Sequence, residues 1–92
     1  MQFEWDPDKA NSNLKRHNVS FHEASTVFND SLSVTFPDPD HSFGEERYVI
    51  IGLSSANRIL IVSHTDRADC VRIISTREAT RNEQRFYEDG EY

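Results

Sequence analysis

The segment from His64 to Arg85 contains five arginines, although the chain has a formal net charge of −6. They are Arg67, Arg72, Arg77, Arg81 and Arg85. An arginine guanidinium is a planar fork that binds two phosphate oxygens at once and stacks on bases, whereas lysine is a point charge. Cleavage of RNA by its own 2′-hydroxyl needs cations around the phosphorus, a base for that hydroxyl and an acid for the leaving oxygen. The segment therefore predicts an anion-binding site, in which His64 is a candidate for proton transfer.

The first third of the chain predicts one short strand and two helices. Aromatic residues alternate at 3–5, as in a strand. An aspartate followed by proline at 6–7 is typical of a helix N-terminus, and this helix extends to about His17. Ser20 and Glu23 have the spacing of a capping box, which predicts a second helix immediately after it.

The remainder predicts four strands and a last helix. The strands are expected at 32–36, 47–53, 58–65 and 70–75, with a loop over 37–46. Ser75 and Glu78 form a second capping box, so the last helix is expected to begin there and to run to about Glu88. The order β-α-α-β-β-β-β-α predicts an α+β fold with helices packed on an antiparallel sheet.

The lengths of the two hairpin loops decide which strand residues share a sheet face. A four-residue loop at 54–57 would pair Leu53 with Arg58. A three-residue loop in the next hairpin would pair Thr65 with Asp69. Both loops are assumptions, and a slip of one residue would change the faces.

Under this register Arg47, His64 and Arg72 lie together at one end of a sheet face. The opposite face, which would receive the two N-terminal helices, holds Tyr48, Ile50, Ile59, Ile61, Val71 and Ile73. The last predicted helix carries arginines four residues apart on one side: Arg77, Arg81 and Arg85. The sequence thus predicts a histidine surrounded by arginines.

At 92 residues, the chain is expected to be a single domain, 1–92, with one small core. Its single cysteine, Cys70, excludes an internal disulfide, which is typical of the reducing cytoplasm. No Cys/His spacing resembles a zinc site, and neither a signal peptide nor an apolar run of membrane-spanning length is evident. We therefore expect a cytoplasmic protein that needs no metal or other cofactor and has no membrane partner.

Three segments resemble the BrnT toxins of bacterial type II toxin–antitoxin systems: FEWDPDKANSNLKRHNVSFHEASTVFND, TFPDPDHSFGEERYVIIGLSS and RIISTREATRNEQRFYE. The resemblance extends over about residues 3–88. It implies a RelE-like fold and a cofactor-free endoribonuclease that cleaves mRNA and inhibits translation. It also implies neutralisation by a BrnA-like antitoxin with a ribbon-helix-helix part, with higher-order toxin–antitoxin complexes among the expected assemblies.

Residues that match the recurrent polar positions of that family are Lys15, His17, Glu46, Arg47, His64, Arg72, Arg77, Glu83 and Tyr87. The chain departs from the family pattern at Asn18, where glycine is expected, and at Cys70, where arginine is more usual. Cys70 removes a cation from the region of His64.

These observations assign candidate roles. The phosphate-stabilising candidates are Arg47, Arg72 and Arg77, and the proton-transfer candidates are His64 and Glu46. The candidates for RNA binding are Lys15, His17, Arg67 and Arg81. The alternative is a binding module with weak or no catalysis, which docks an antitoxin through the same basic face.

Overall fold

The computed structural model describes residues 1–90 and contains the predicted strands and helices in the predicted order. They are β1 (Gln2–Glu4), α1 (Pro7–His17), α2 (Phe21–Thr26), β2 (Val34–Pro37), β3 (Arg47–Leu53), β4 (Ile59–Arg67), β5 (Cys70–Glu78) and α3 (Arg81–Asp89). Short 3₁₀ turns at Val27–Asn29 and Pro39–His41 flank β2. The α+β fold class is confirmed; residues 91 and 92, which the single-domain expectation includes, lie outside the described residues.

The five strands form one sheet in the order β1-β5-β4-β3-β2, and only the β1–β5 pairing among the described strands is parallel. Helices α1 and α2 pack on one side of the sheet, which we call the α1/α2 face. Its buried core consists of Val19, Phe21, Ala24, Val27, Ile50, Leu60, Val62 and Ile73. Helix α3 covers part of the opposite side, the α3 face, around Ile51 and Ile61. Within residues 1–90, no helix is long and apolar enough to cross a bilayer.

The ends of α1 and α2 form as the sequence predicts. The Asp6 side chain accepts a hydrogen bond of 2.8 Å from the Asp8 N–H, and Asn18 ends α1 in a left-handed conformation with φ of 57°. The Ser20 hydroxyl accepts a 3.0 Å hydrogen bond from the Glu23 N–H at the start of α2. These caps satisfy N–H and C=O groups that a helix end would otherwise leave without partners.

The predicted start of the last helix is wrong. Ser75 and Glu78 do not form a capping box, because both continue the β4–β5 ladder. The capping box is instead formed by Thr80 and Glu83, where the Glu83 N–H donates to Thr80 Oγ1 at 3.2 Å and the Thr80 N–H donates to Glu83 Oε1 at 2.8 Å. Both segments have the S/T-x-x-E spacing, and strand pairing decides between them. Consequently Arg77 lies on β5 and not on a helix face with the other two arginines.

Both predicted hairpin registers are wrong by an odd number of residues. In the first hairpin the Ser54 N–H donates to the Arg58 carbonyl at 2.8 Å, so the loop has three residues and ends at Asn57 with φ of 62°. In the second, Arg67 pairs with Cys70 across a two-residue turn. A left-handed residue is what such short hairpin turns require, and here asparagine and Ala68 (φ 52°) provide it.

The two register errors cancel for the first half of β5. Only the residues of β4 therefore lie on the sheet face opposite to the one predicted. Leu60, Val62 and His64 lie on the α1/α2 face, while Ile59 and Ile61 lie on the α3 face. The positions expected for Tyr48, Ile50, Val71 and Ile73 on the face of the two N-terminal helices agree with the observed pairing. A one-residue slip is sufficient for this because strand side chains alternate between faces.

Asn13 attaches α1 to the edge of β5. Strand β1 pairs with β5 only as far as Arg72, so the later residues of β5 have no neighbour on that side among the described strands. The buried Asn13 amide takes its place: Nδ2 donates to the Thr76 carbonyl at 2.9 Å and Oδ1 accepts from the Thr76 N–H at 3.1 Å. Nδ2 also donates to the Val19 carbonyl at 3.1 Å.

Replacing Asn13 with alanine should lower the free energy of unfolding by about 2 to 4 kcal/mol, because three backbone groups lose their partners in a buried position. Urea unfolding followed by circular dichroism measures this change. The matched control is Asn11→Ala, at an exposed position of the same helix. Equal stability of the two variants would contradict the role assigned to Asn13.

Candidate functional site

A long groove crosses the α3 face between α1 and α3. Two adjoining cavities of about 610 and 1020 Å³ share Ile61, Ser63 and Arg77 and therefore form one depression. The half beside α1 is lined by Asp8, Lys9, Ser12, Asn13, Arg16, His17, Ile74, Ser75 and Thr76. The half beside α3 is lined by Phe36, Pro37, Asp38, Val49, Ile51, Asn82, Glu83, Arg85, Phe86 and Asp89. Arg77 stands where the halves meet.

Four cations line the groove, Lys9 and Arg16 from α1, Arg77 from β5 and Arg85 from α3, and His17 of α1 adds an imidazole. Within residues 1–90, Lys9, Arg16 and Arg85 make no ion pair. The acidic lining residues are Asp8, Asp38, Glu83 and Asp89. Of these, Asp38 is held by His41 at 3.0 Å and Glu83 by Arg77 at 2.8 Å. The charges without an ion pair among the described residues are therefore Lys9, Arg16 and Arg85 against Asp8 and Asp89. This leaves a small positive excess, with cations on two opposite walls, which favours a negatively charged, extended ligand.

A β-bulge turns Arg77 toward the groove. His64 pairs with Ile73 but Ser63 pairs with Ser75, so Ile74 is an extra residue in β5. A regular ladder would have placed Arg77 on the α1/α2 face; the bulge places it opposite Ile61, on the α3 face. Bulges are frequent next to active sites because they redirect a side chain in this way.

Arg77 and Glu83 form a bidentate ion pair. Arg77 Nη1 lies 2.8 Å from Glu83 Oε1, and Nη2 lies 3.0 Å from Oε2. The hydrogen bond from Arg77 lowers the pKa of Glu83 to about 2, and the same bond raises the pKa of Arg77. Both groups are therefore charged at neutral pH.

Arg47 and Arg72 share the α3 face, as the sequence predicts, on either side of Thr65. Thr65 is the next residue after Ser63 on this face of β4, so the two arginines lie beyond the end of the groove and do not line it. Arg72 donates to Glu4 at 2.7 Å. Arg47 makes no ion pair within the described residues, and its buried Nε has no hydrogen-bond partner there.

His64 and Glu46 lie on the other side of the sheet, so their predicted grouping with Arg47 and Arg72 is wrong. His64 is 4% exposed and packs against Phe28 and Tyr48, with ring centroids 4.9 and 6.0 Å away. The Glu46 carboxylate accepts a 2.6 Å hydrogen bond from the Tyr48 hydroxyl. A buried imidazole between two rings is a core residue.

Burial lowers the pKa of His64 below its usual value, because desolvation disfavours the charged imidazolium. The native state therefore prefers the neutral ring. As the pH falls below about 6.5, the unfolded chain takes up a proton that the folded chain refuses, and stability should decrease. Urea unfolding at pH 7.5, 6.0 and 5.0 should show that His64→Leu loses less stability than the wild type over this range. An identical pH dependence in both proteins would contradict this account.

The remaining predicted RNA-binding residues divide between the groove and the surface. His17 lines the groove. Lys15 and Arg81 are exposed outside its lining, and Arg67 pairs with Glu45 at 3.4 Å beside the β4–β5 turn. Sequence reasoning missed Lys9 and Arg16; their spacing of seven residues, two helical turns, was the available signal.

Arg85 of α3 also lines the groove, although it was not among the predicted site residues. Within residues 1–90, no cluster of three or more His, Cys, Asp or Glu side chains could hold a metal ion.

A family model described as "Ribonuclease toxin, BrnT, of type II toxin-antitoxin system" matches residues 5–83. The chain belongs to the BrnT family. This confirms the resemblance found in the sequence, and the BrnT match includes both the α1 and the β5 parts of the groove. A type II system pairs a toxin with an antitoxin, and a ribonuclease acts on RNA. The family description therefore implies an antitoxin partner and an RNA substrate.

The crystal structure of the Brucella abortus ribonuclease toxin BrnT, determined at 1.1 Å, is similar to this chain with a TM-score of 0.69. The alignment covers 88% of this chain and 99% of that chain at 21% sequence identity, which shows a shared fold. No curated protein matches the sequence significantly.

Proposed function

We propose that this BrnT family member cleaves mRNA within the groove on the α3 face and thereby inhibits translation. The observation that carries the proposal is the convergence of Lys9, Arg16, His17, Arg77 and Arg85 on one groove in a protein whose net charge is −6. Overall attraction to polyanions is therefore absent, and RNA is held by this local site.

In the proposed reaction Arg77 and Arg16 bind the oxygens of the scissile phosphate and stabilise the charge that accumulates there. His17 takes the proton of the 2′-hydroxyl, the 2′ oxygen bonds to phosphorus, and the bond from phosphorus to the 5′ oxygen breaks. A second proton donor, water or a protonated groove residue, supplies the proton to that 5′ oxygen. The step needs no metal, because the arginines supply the positive charge.

The same groove is the proposed binding surface of a BrnA-like antitoxin with a ribbon-helix-helix part. Unpaired Lys9, Arg16 and Arg85 suit an acidic segment as well as they suit phosphates. An antitoxin bound there would exclude RNA and allow a higher-order complex through its own oligomerisation. A chain that only binds the antitoxin and does not cleave RNA is the competing function.

Expression of the chain alone in bacteria should arrest growth and shorten bulk mRNA, and the purified protein should cleave RNA in the presence of EDTA. Co-expression of a BrnA-like antitoxin should reverse the arrest. Normal growth at high expression, together with intact RNA in vitro, would support the binding function instead.

Arg85→Ala should weaken binding to single-stranded RNA and reduce the slope of log K against log salt by about 0.7, the value for one lost phosphate contact. Arg81→Ala is the matched control, since Arg81 lies on the same helix but outside the groove lining. Fluorescence anisotropy with a labelled oligonucleotide at several salt concentrations measures both. Equal slopes in the two variants would place the RNA elsewhere.

A further inference from the structure

Two of the five N–H groups of the Arg77 guanidinium have no hydrogen-bond partner within residues 1–90. Nη1 donates to Glu83 Oε1 at 2.8 Å and to the Glu78 carbonyl at 3.2 Å, and Nη2 donates to Glu83 Oε2 at 3.0 Å. Within residues 1–90, Nε makes no hydrogen bond, and Nη2 makes only this one. Nε–H and the second N–H of Nη2 point the same way and form a second fork, which fits two oxygens of a phosphate.

The Glu83 carboxylate is also held by a backbone hydrogen bond. Its Oε1 also accepts the Thr80 N–H at 2.8 Å as part of the capping box that starts α3. The carboxylate is therefore attached to the helix N-terminus while it holds the end of Arg77. With a pKa of about 2 it stays ionised at every working pH. A free arginine side chain has many rotamers. Because the ion pair with Glu83 already restricts Arg77, less conformational entropy is lost when a ligand binds.

We infer that Glu83 is a positioning residue, which holds Arg77 end-on so that the Nε–Nη2 edge faces the groove and binds an RNA phosphate. The inference rests on the proposed function and adds to it a residue that does not itself contact RNA. It also gives a role to one of the four carboxylates that line the groove, because Glu83 orients the central arginine without occupying the binding edge.

The first test compares kcat/KM for RNA cleavage by four proteins: wild type, Glu83→Gln, Arg77→Lys and the double variant. Glutamine keeps the size of the side chain and the N3 position of the capping box but loses the charged two-point contact. Glu83→Gln should lower kcat/KM by about 10- to 100-fold, the effect of a small misplacement at a site. Glu88→Gln, the same change at an exposed position of α3, should have no effect.

The decisive measurement is the coupling of the two changes. Lysine has no fork to orient, so Glu83→Gln should have little further effect in the Arg77→Lys background. A purely structural role of Glu83 would give the same fold-loss in both backgrounds, and that result would overturn the inference. Thermal unfolding of each variant identifies any loss that is due to misfolding.

The second test needs no catalysis. A 2′-O-methyl RNA oligonucleotide, which lacks the attacking hydroxyl, is added while the Arg77 Nε–H signal is followed by NMR. The signal should shift in the wild type and should shift much less at the same RNA concentration in Glu83→Gln. Absence of cleavage by the wild type would reject the proposed ribonuclease but leave this result intact. An unshifted Arg77 signal in RNA-saturated wild type would overturn the positioning role.

Discussion

Replacing Arg77 with alanine should lower kcat/KM for RNA cleavage by about 10²- to 10³-fold, the usual effect of removing a principal donor to a developing oxyanion. Arg77 lies at the junction of both halves of the groove, and a bulge and an ion pair determine its orientation. No other described cation lines both halves. The loss should therefore not be recovered by a neighbouring arginine.

Arg67→Ala and Arg81→Ala are the controls, because both remove an exposed arginine that lies outside the groove. Rates are measured with a fluorogenic RNA in EDTA. Arg77→Ala also frees Glu83, so its fold is checked by circular dichroism and urea unfolding. A folded Arg77→Ala protein that cleaves RNA as fast as the controls would show that the reaction occurs at another place.

Replacing His17 with glutamine should slow cleavage by about 10²- to 10⁴-fold, the range for loss of a general acid or base. His17 is the one imidazole that lines the groove within residues 1–90. Because only a neutral imidazole can accept the 2′-hydroxyl proton, the rate of wild-type cleavage should rise with pH. That rise should be absent in the variant.

His22→Gln is the matched control: His22 is exposed on α2 and its ring packs on Trp5 with centroids 4.8 Å apart. His64→Leu extends the comparison, since it should change stability and leave the pH dependence of cleavage unchanged. A pH–rate profile that is the same for His17→Gln and the wild type would remove His17 from proton transfer. Loss of the rise in His64→Leu would return that role to His64.

The sequence predicts those parts of the fold that depend on neighbouring residues. The N-terminal caps at Asp6 and Ser20 act within three positions along the chain, and both form. The order of strands and helices follows from periodicity and is confirmed. The start of α3 was wrong because two segments carry the same capping pattern, and only the long-range pairing of β5 with β4 selects the second.

The candidate site was harder to predict, because it depends on the parity of two turns. Three-residue and two-residue loops replaced the assumed four and three, and His64 moved from the arginines into the core. Arg72 and Arg47 kept their common face only because the two errors cancel. The contribution of α1 could not be derived from strand patterns, since it depends on Asn13, whose contact with Thr76 joins residues 63 positions apart.

The extra residue in β5 has a consequence for comparing members of this family. Deleting Ile74 would restore a regular ladder in which Ser75 still pairs with Ser63 and Arg77 still pairs with Ile61, so Arg77 would stay on the α3 face. A relative that lacks this residue would therefore carry its groove arginine one position earlier than Arg77 in an alignment without a gap. Alignments that absorb such a gap in the β5–α3 connection would match residues on opposite sides of the sheet. The position of the gap, and not the identity at the aligned column, then tells whether a relative keeps the groove arginine.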